Sequence, residues 1–300
     1  MLSATEHVNI TIAVIGLGEA GGSYAAGLAM NGAKVRGYNR NMDNPQRAQR
    51  LEHLEKSGVI LFSTLKEALS GADIILALTT AKTARETAES AKPYLCKGQI
   101  YVEFNSAVPT LKAEIESLLN GYADVVDGTT MASVNQLKHK TPVNLSGKRA
   151  EEVSGILNAY GMNTRCVGDE VGQAAALKVL RSVFMKGFEA VLVECMQASA
   201  RYGVAEAVLK SILSFFETRP MPELMDMFIT TDAIHCRRRA EEMEEIVAML
   251  DKQDIEDTMS KAAVNKLMWV ASLNMEEHFE GKVPQSIEPV LEILSRQKKE

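Results

Sequence analysis

The chain has 300 residues, a formal net charge of −6 and 46% hydrophobic residues. The length suggests one large domain or two ordinary ones, and the acidic balance disfavours nucleic acid as the main partner. The apolar runs are too short to span a membrane, and the first nine residues lack the composition of a signal peptide. The four cysteines, at 96, 166, 195 and 236, lie far apart, so we expect a reduced, cytoplasmic protein.

The first half of the sequence alternates strand and helix patterns. Apolar runs such as 74–78 are typical of parallel strands that are buried on both faces. Strands are predicted at 10–15, 34–38, 59–61, 73–78, 100–104, 123–126, 143–146 and 164–167. Helices are predicted at 19–31, 45–57, 64–70, 81–92, 109–120 and 148–160. The alternation predicts an α/β, Rossmann-type dinucleotide-binding domain over residues 1–168.

After residue 168 only helical patterns remain. A long helix is predicted from Asp169 to about Arg201, and Pro220 and Pro222 predict a break near the middle of this half. Further helices are predicted at 204–216, 221–228, 230–251, 254–274 and 286–298. Residues 169–300 are therefore predicted to form an all-α domain for substrate binding and dimerisation. Its many methionines suit a core and a subunit contact, so we expect a homodimer.

A glycine-rich turn follows the first predicted strand. Its G-x-G-x-x-G spacing combines a tight turn, close approach to a pyrophosphate and close packing of helix on strand. A purely structural glycine turn is the alternative, but a strand before and a helix after favour dinucleotide binding. The predicted cofactor-binding residues of this motif are Gly16, Leu17, Gly18, Glu19, Ala20 and Gly21.

The end of the second strand discriminates between nicotinamide cofactors. An acidic residue there binds the ribose 2′-hydroxyl of NAD, whereas an arginine accommodates the 2′-phosphate of NADP. Here Asn39 and Arg40 end the strand, and no carboxylate occurs before Asp43. A guanidinium can bind a phosphate through two hydrogen bonds, so NADP is predicted in preference to NAD. An exposed arginine at the start of a loop is the alternative.

Four sequence blocks resemble the β-hydroxyacid dehydrogenase superfamily, which includes 3-hydroxyisobutyrate dehydrogenase and 6-phosphogluconate dehydrogenase. They are the glycine motif and residues 38–40, 103–109 and 172–182. The helical tail, at 178–187 and 235–243, is similar to a branch of phosphogluconate-dehydrogenase-like proteins with their own C-terminal helical domain. The resemblance implies an oxidoreductase that acts on a hydroxyl or carbonyl group of a small, carboxylate-bearing substrate.

Lys178 matches the catalytic lysine of that family. Arg181 and Ser182 share its helical face, and the apolar composition of the helix predicts that it is buried. A partly buried lysine with a lowered pKa can exchange a proton with an alcohol or a carbonyl near neutral pH. The family usually has asparagine where Ser182 stands; Ser182 and Arg181 are nevertheless predicted to bind the substrate. A solvated surface lysine is the alternative.

The loop after the sixth strand departs from the family pattern Asp-x-Pro-Val-Ser-Gly-Gly. Asp127 is retained, but Met131, Ala132 and Ser133 stand where the family has Ser-Gly-Gly. Ser133 is predicted to bind the substrate, and the larger side chains favour a bulkier or more apolar substrate than the usual hydroxyacids. A plain turn is the alternative.

Other candidate residues follow the fourth and fifth strands, at the carboxyl edge where ligands bind in open α/β folds. The resemblance places Asn105 near the substrate and Ser106 near the nicotinamide ribose, with Leu78 and Thr79 on the same edge. Capping of the helix that starts at Pro109 is the alternative for Asn105 and Ser106.

The segment from His235 to Glu245 is densely charged. On a helix Arg237 would pair with Glu241 and Arg238 with Glu242, which favours a solvated or interface helix. The alternative is that His235 and one arginine of 237–239 hold an anionic substrate.

No histidine or cysteine pair has metal-ligand spacing, so no metal is implied. The sequence thus predicts an NADP-dependent oxidoreductase with Lys178 as general acid and base. An imine reductase on the same fold and a non-catalytic cofactor-binding scaffold or sensor are the alternatives.

Overall fold

All eight predicted strands form, and they make one sheet within residues 10–298, which are the residues that the computed structural model describes. The strands are β1 Thr11–Ile15, β2 Lys34–Tyr38, β3 Ile60–Leu61, β4 Ile74–Ala77, β5 Ile100–Glu103, β6 Asp124–Thr130, β7 Pro142–Ser146 and β8 Asn163–Gly168. Their order is β3-β2-β1-β4-β5-β6-β7-β8. Strands β1 to β3 are therefore added toward one side of the sheet and β4 to β8 toward the other. Open α/β folds bind ligands at the point between β1 and β4 where this order switches.

The sheet is parallel except at one pair. β6 and β7 run antiparallel, with Thr130 opposite Val143, and Met131 N–H donates to the Pro142 carbonyl at 2.9 Å. The segment between these strands is too short for the crossover helix that a parallel pair would need. The expectation of a wholly parallel sheet, which was based on the apolar runs, is thus wrong for the β6–β7 pair.

Within the described residues, seven α-helices that precede residue 160 cover both faces of the sheet. Ile12 and Val14 of β1 belong to the core on one face, and Ala13 and Ile15 to the core on the other. This alternation buries the whole strand and explains why its sequence is continuously apolar. The helices are α1 Glu19–Met30, α2 Ala48–Lys56, α3 Leu65–Leu69, α4 Ala84–Ala91, α5 Pro109–Leu119, α6 Val134–Leu137 and α7 Ala150–Ala159.

The described part of the second half is helical, as predicted. The helices are α8 Gln173–Arg201, α9 Ala205–Phe216, α10 Met221–Lys252, α11 Thr258–Ala271, α12 Met275–His278 and α13 Glu288–Ser295. The two helices predicted at 221–228 and 230–251 are wrong, because α10 is continuous. The Thr230 and Thr231 hydroxyls donate to carbonyls of the preceding turn, which lets this β-branched pair remain helical. None of the described helices has the length and low polarity needed to cross a bilayer.

The chain divides into two compact units between Ser182 and Val183, within α8. The predicted division into domains at residue 168 stays a prediction. Beyond Ser182 the apolar side chains of α8 are exposed: Val183 by 71% and Phe184 by 55%. The buried helix expected from the composition is therefore not observed here in the single chain. Apolar composition alone therefore does not decide whether the single chain buries a helix face.

Candidate active site

The glycine turn joins β1 to α1 and leaves space for a ligand at one position. Gly16 has a φ of +93°, and a Cβ at Gly21 would lie 1.9 Å from the Gly16 carbonyl oxygen. Both glycines are therefore required by the fold. Gly18, the N-cap of α1, is exposed, and a Cβ there would meet no protein atom within 4 Å. This open space lies at the positive end of α1, which suits a dinucleotide pyrophosphate.

A cleft of about 210 Å³ lies beside the end of β2. Arg40 lines it and pairs with Glu86 of α4, with 2.9 Å between guanidinium nitrogen and carboxylate oxygen. Arg47 lines the same cleft. Sequence reasoning identified neither Arg47 nor Glu86. Glu86 of α4 approaches the end of β2 only in the folded sheet, where β2 and β4 both pair with β1. Residues of the cleft include Gly16, Tyr38, Asn39, Arg40, Asn41, Arg47, Thr79 and Thr83.

Ser133 shares a second cleft with the glycine motif. This cleft has a volume of about 330 Å³. The Ser133 hydroxyl accepts a 3.4 Å hydrogen bond from Asn135 N–H and so caps the short helix α6. The residues that line the cleft are Gly18, Glu19, Ala20, Leu78, Thr79, Ser133, Val134 and Asn135. Residues predicted separately for the cofactor and for the substrate are thus neighbours.

The Lys178 side chain is half-buried and reaches the carboxyl edge of the sheet. Its ammonium donates to the Thr130 carbonyl at 2.7 Å and to the Ser106 hydroxyl at 3.2 Å. The pKa of Lys178 is lowered, mainly because the side chain is partly buried and to a smaller extent because the charges of Arg181 and Lys112 are nearby. The amine therefore joins α8 to the ends of β5 and β6, and it gives up its proton more readily than an exposed lysine.

Asn105, which precedes Ser106, binds the residue that follows Leu78 at the end of β4. Its buried side chain donates to the Thr79 hydroxyl at 3.3 Å, and its N–H donates to the Glu103 carboxylate at 2.8 Å. Helix α5 is capped at Val108 without a side-chain hydrogen bond, so the capping alternative for Asn105 and Ser106 is wrong. Both residues instead belong to the row of polar groups at the sheet edge.

The remaining predicted substrate residues are Arg181, Ser182 and His235. Arg181 is exposed one turn after Lys178, and the Ser182 hydroxyl donates to the Lys178 carbonyl at 3.0 Å. His235 lies half-buried on α10, in the second unit. Among the arginines that follow it, Arg238 pairs with Glu242 as predicted, whereas Arg239 binds the Thr231 hydroxyl at 2.8 Å.

Three charged side chains lie fully buried beneath the site: Glu103, Lys112 and Asp127, here called the buried ion cluster. Sequence reasoning noted Asp127 as a retained motif residue, but it missed Lys112 and the ionic contacts among the three. The Lys112 ammonium lies 3.0 Å from the Asp127 carboxylate and 3.9 Å from that of Glu103. Lys112 shares the inner face of α5 with Ile115 and Leu119, a spacing visible in the sequence. Within the described residues, no group of histidine, cysteine and acidic side chains could hold a metal ion.

Comparison with known proteins identifies two regions of the chain. Residues 11–168 match the NAD-binding domain of 6-phosphogluconate dehydrogenase. Residues 200–270 match a domain of unknown function, DUF1932.

Similar structures cover nearly the whole chain. A conserved hypothetical protein of Sinorhizobium meliloti is 31% identical over 97% of both chains, with a TM-score of 0.67. A conserved protein of unknown function, described as structurally similar to 3-hydroxyacid dehydrogenases, is 28% identical over 91% of this chain and 100% of its own, with a TM-score of 0.63. A variant imine reductase of Myxococcus stipitatus, in complex with NAD⁺, is 19% identical over 95% and 99% of the chains, with a TM-score of 0.74. This last similarity concerns the fold alone.

Proposed function

Because the chain belongs to the family of the NAD-binding domain of 6-phosphogluconate dehydrogenase, we propose that it is an NADP-dependent oxidoreductase. It transfers hydride between the nicotinamide and a hydroxyl or carbonyl carbon of a small, carboxylate-bearing substrate. The observation that carries this proposal is the position of the Lys178 amine, 2.7 Å from the Thr130 carbonyl and 3.2 Å from the Ser106 hydroxyl.

Lys178 moves the proton of the reaction. The bound nicotinamide supplies or accepts hydride. The neutral amine of Lys178 takes the proton from a substrate hydroxyl during oxidation, and its ammonium returns a proton to the oxygen during reduction. An ammonium has three N–H bonds; Ser106 and Thr130 accept two, and the third is the one that we assign to the substrate oxygen. Arg181, Ser133 and Asn105 hold the rest of the substrate.

A screen of hydroxyacids, phosphorylated sugar acids and their carbonyl partners, followed by NADPH absorbance, tests this function. We expect saturable turnover with at least one carboxylate-bearing compound. Cyclic imines belong in the same screen, because the fold is similar to that of an imine reductase. Turnover of imines without turnover of any hydroxyl or carbonyl compound would replace the proposal with imine reduction.

The rate of each direction should depend oppositely on pH. Since ammonium is the acid for reduction, kcat/KM for a carbonyl should fall as pH rises through the lowered pKa of Lys178, and kcat/KM for the alcohol should rise. Arg181→Gln removes a repelling charge and should move both limbs to higher pH, by less than about one unit. Lys186→Gln, farther along α8, is the control and should leave them in place.

Glu86 is expected to oppose NADP binding. Its carboxylate pairs with Arg40, so a 2′-phosphate must compete for the guanidinium. Glu86→Gln should tighten NADPH binding about two- to fivefold, as expected for an exposed ion pair, and leave NADH binding unchanged. Titration of cofactor fluorescence measures both constants. Glu89→Gln, which breaks the Arg85 pair on the same helix, is the control; equal effects of the two variants would contradict the role of Arg40.

We also propose that the protein is a homodimer through the second unit. Phe184, Phe188 and Val191 share one face of α8, at 55%, 42% and 47% exposure in the single chain. Val191→Glu should convert a dimer into a folded monomer of 32.8 kDa, measured by light scattering at micromolar concentration. Val283→Glu, at a valine 43% exposed outside α8, should remain dimeric. A wild-type monomer would refute the proposal.

A further inference from the structure

The buried ion cluster touches every segment that holds the Lys178 amine. Lys112 donates to the Glu103 carbonyl at 2.5 Å and to the Gly128 carbonyl at 3.4 Å, at the ends of β5 and β6. The Glu103 carboxylate accepts from Asn105 N–H, next to Ser106. One side chain of α5 therefore fixes both strand ends that present Ser106 and Thr130 to the amine.

Asp127 makes the third connection. One of its oxygens accepts from the Ala175 N–H in the first turn of α8 at 2.8 Å. The other lies 3.0 Å from the Lys112 ammonium and accepts from the Thr129 hydroxyl at 3.2 Å. Lys178 lies three residues after Ala175 in α8. Asp127 therefore holds the start of this helix against β6, the strand whose Thr130 carbonyl accepts from the amine.

From these contacts we propose that Lys112 and Asp127 are positioning residues for the Lys178 amine. This inference rests on the proposed function of Lys178 and adds to it residues that touch neither substrate nor cofactor. The cluster contacts Asn105, which precedes Ser106, Gly128, which lies two residues before Thr130, and Ala175, which lies three residues before Lys178 itself. Burial of these ions is costly and needs such a compensating arrangement.

The cluster also bears on the charge of the amine. The charged groups that act on it are Arg181 on its own helix and Lys112 on α5. Glu103 on β5 and Asp127 on β6 are the acidic partners of Lys112. Lys112 repels the protonated amine and helps to lower the pKa of Lys178. Burial raises the pKa of Glu103. Asp127, at 3.0 Å against 3.9 Å for Glu103, is the closer counter-charge of Lys112. Removing Lys112 or Asp127 should thus move the pKa of Lys178 in opposite directions.

The test measures this pKa directly in the cofactor-free protein. Lysines are dimethylated with ¹³C-formaldehyde, the Lys178 signal is assigned by its loss in Lys178→Met, and its chemical shift is followed against pH. We expect Lys112→Met to raise the Lys178 pKa and Asp127→Asn to lower it, each by about half a unit or more. With a substrate from the screen, Asp127→Asn should lower kcat at least about tenfold with little change in the cofactor KM.

Two comparisons keep the outcome decisive. If Lys112→Met does not fold, the double variant Lys112→Met/Asp127→Asn removes the 3.0 Å ion pair as a whole and should show a higher Lys178 pKa than Asp127→Asn alone. Arg149→Met breaks an ionic contact with Asp124 at the opposite edge of the sheet and should leave the Lys178 pKa unchanged. An unchanged pKa in the cluster variants overturns the inference. Absence of turnover in the wild type overturns the proposed function instead, since the pKa measurement needs no turnover.

Discussion

Replacing Lys178 with methionine should lower kcat by about 10²- to 10⁴-fold, the usual contribution of a positioned general acid or base. Methionine keeps the length and apolar stem of lysine but cannot exchange a proton. The cofactor affinity should change by less than about twofold, because the glycine turn and the cleft at Arg40 are untouched. Steady-state kinetics and a fluorescence titration of NADPH measure the two quantities.

Lys186→Met is the matched control for this prediction. Lys186 is an exposed lysine of the same helix, and its replacement should leave kcat within about twofold. If Lys178→Met and Lys186→Met behave alike, Lys178 is not the acid and base. If the wild type binds NADPH but no substrate is turned over, the non-catalytic scaffold becomes the better explanation.

Gly18→Val should abolish tight dinucleotide binding while leaving the fold intact. A side chain at Gly18 meets no protein atom within 4 Å, and its φ of −69° suits any residue. The free energy of unfolding should therefore change by less than about 1 kcal/mol. The added atoms occupy the space that the pyrophosphate needs, so the affinity for NADPH should fall at least about tenfold.

Gly21→Ala tests the opposite requirement. Its Cβ would lie 1.9 Å from the Gly16 carbonyl oxygen, so the turn must move. We expect the free energy of unfolding to drop by at least about 2 kcal/mol, measured by urea denaturation. If Gly18→Val destabilises the protein as much as Gly21→Ala does, glycine at position 18 is required by the fold, and the space beside it is not a ligand site.

The strands and the glycine turn could be predicted because their signals are local. A run such as Ile74–Ala77 is apolar because both of its faces are buried, and the spacing from Gly16 to Gly21 reflects contacts within one turn. The resemblance drawn from four sequence blocks is confirmed by the family match over residues 11–168. The predicted roles of the individual site residues remain predictions.

The buried ion cluster and the Arg40 pair could not be predicted in the same way. A lysine at an apolar position of α5 is tolerable only because Asp127 lies beside it on β6, and strand order decides that neighbour. Glu86 likewise reaches Arg40 only because β4 follows β1 in the sheet. Helix α10 is continuous because the Thr230 and Thr231 hydroxyls donate to carbonyls of their own helix. Helix propensity alone does not indicate whether two adjacent threonines form these hydrogen bonds or end the helix.

The antiparallel return of β7 has a consequence for engineering. The segment 131–141 leaves the sheet after Thr130 and re-enters at Pro142, on the same edge and next to its point of departure. It carries Ser133 but no crossover, so its length does not determine the order of the strands. Under the proposed function, exchanging residues in this segment should change the substrate preference, while the parallel strands and the start of α8 keep the Lys178 amine in its position.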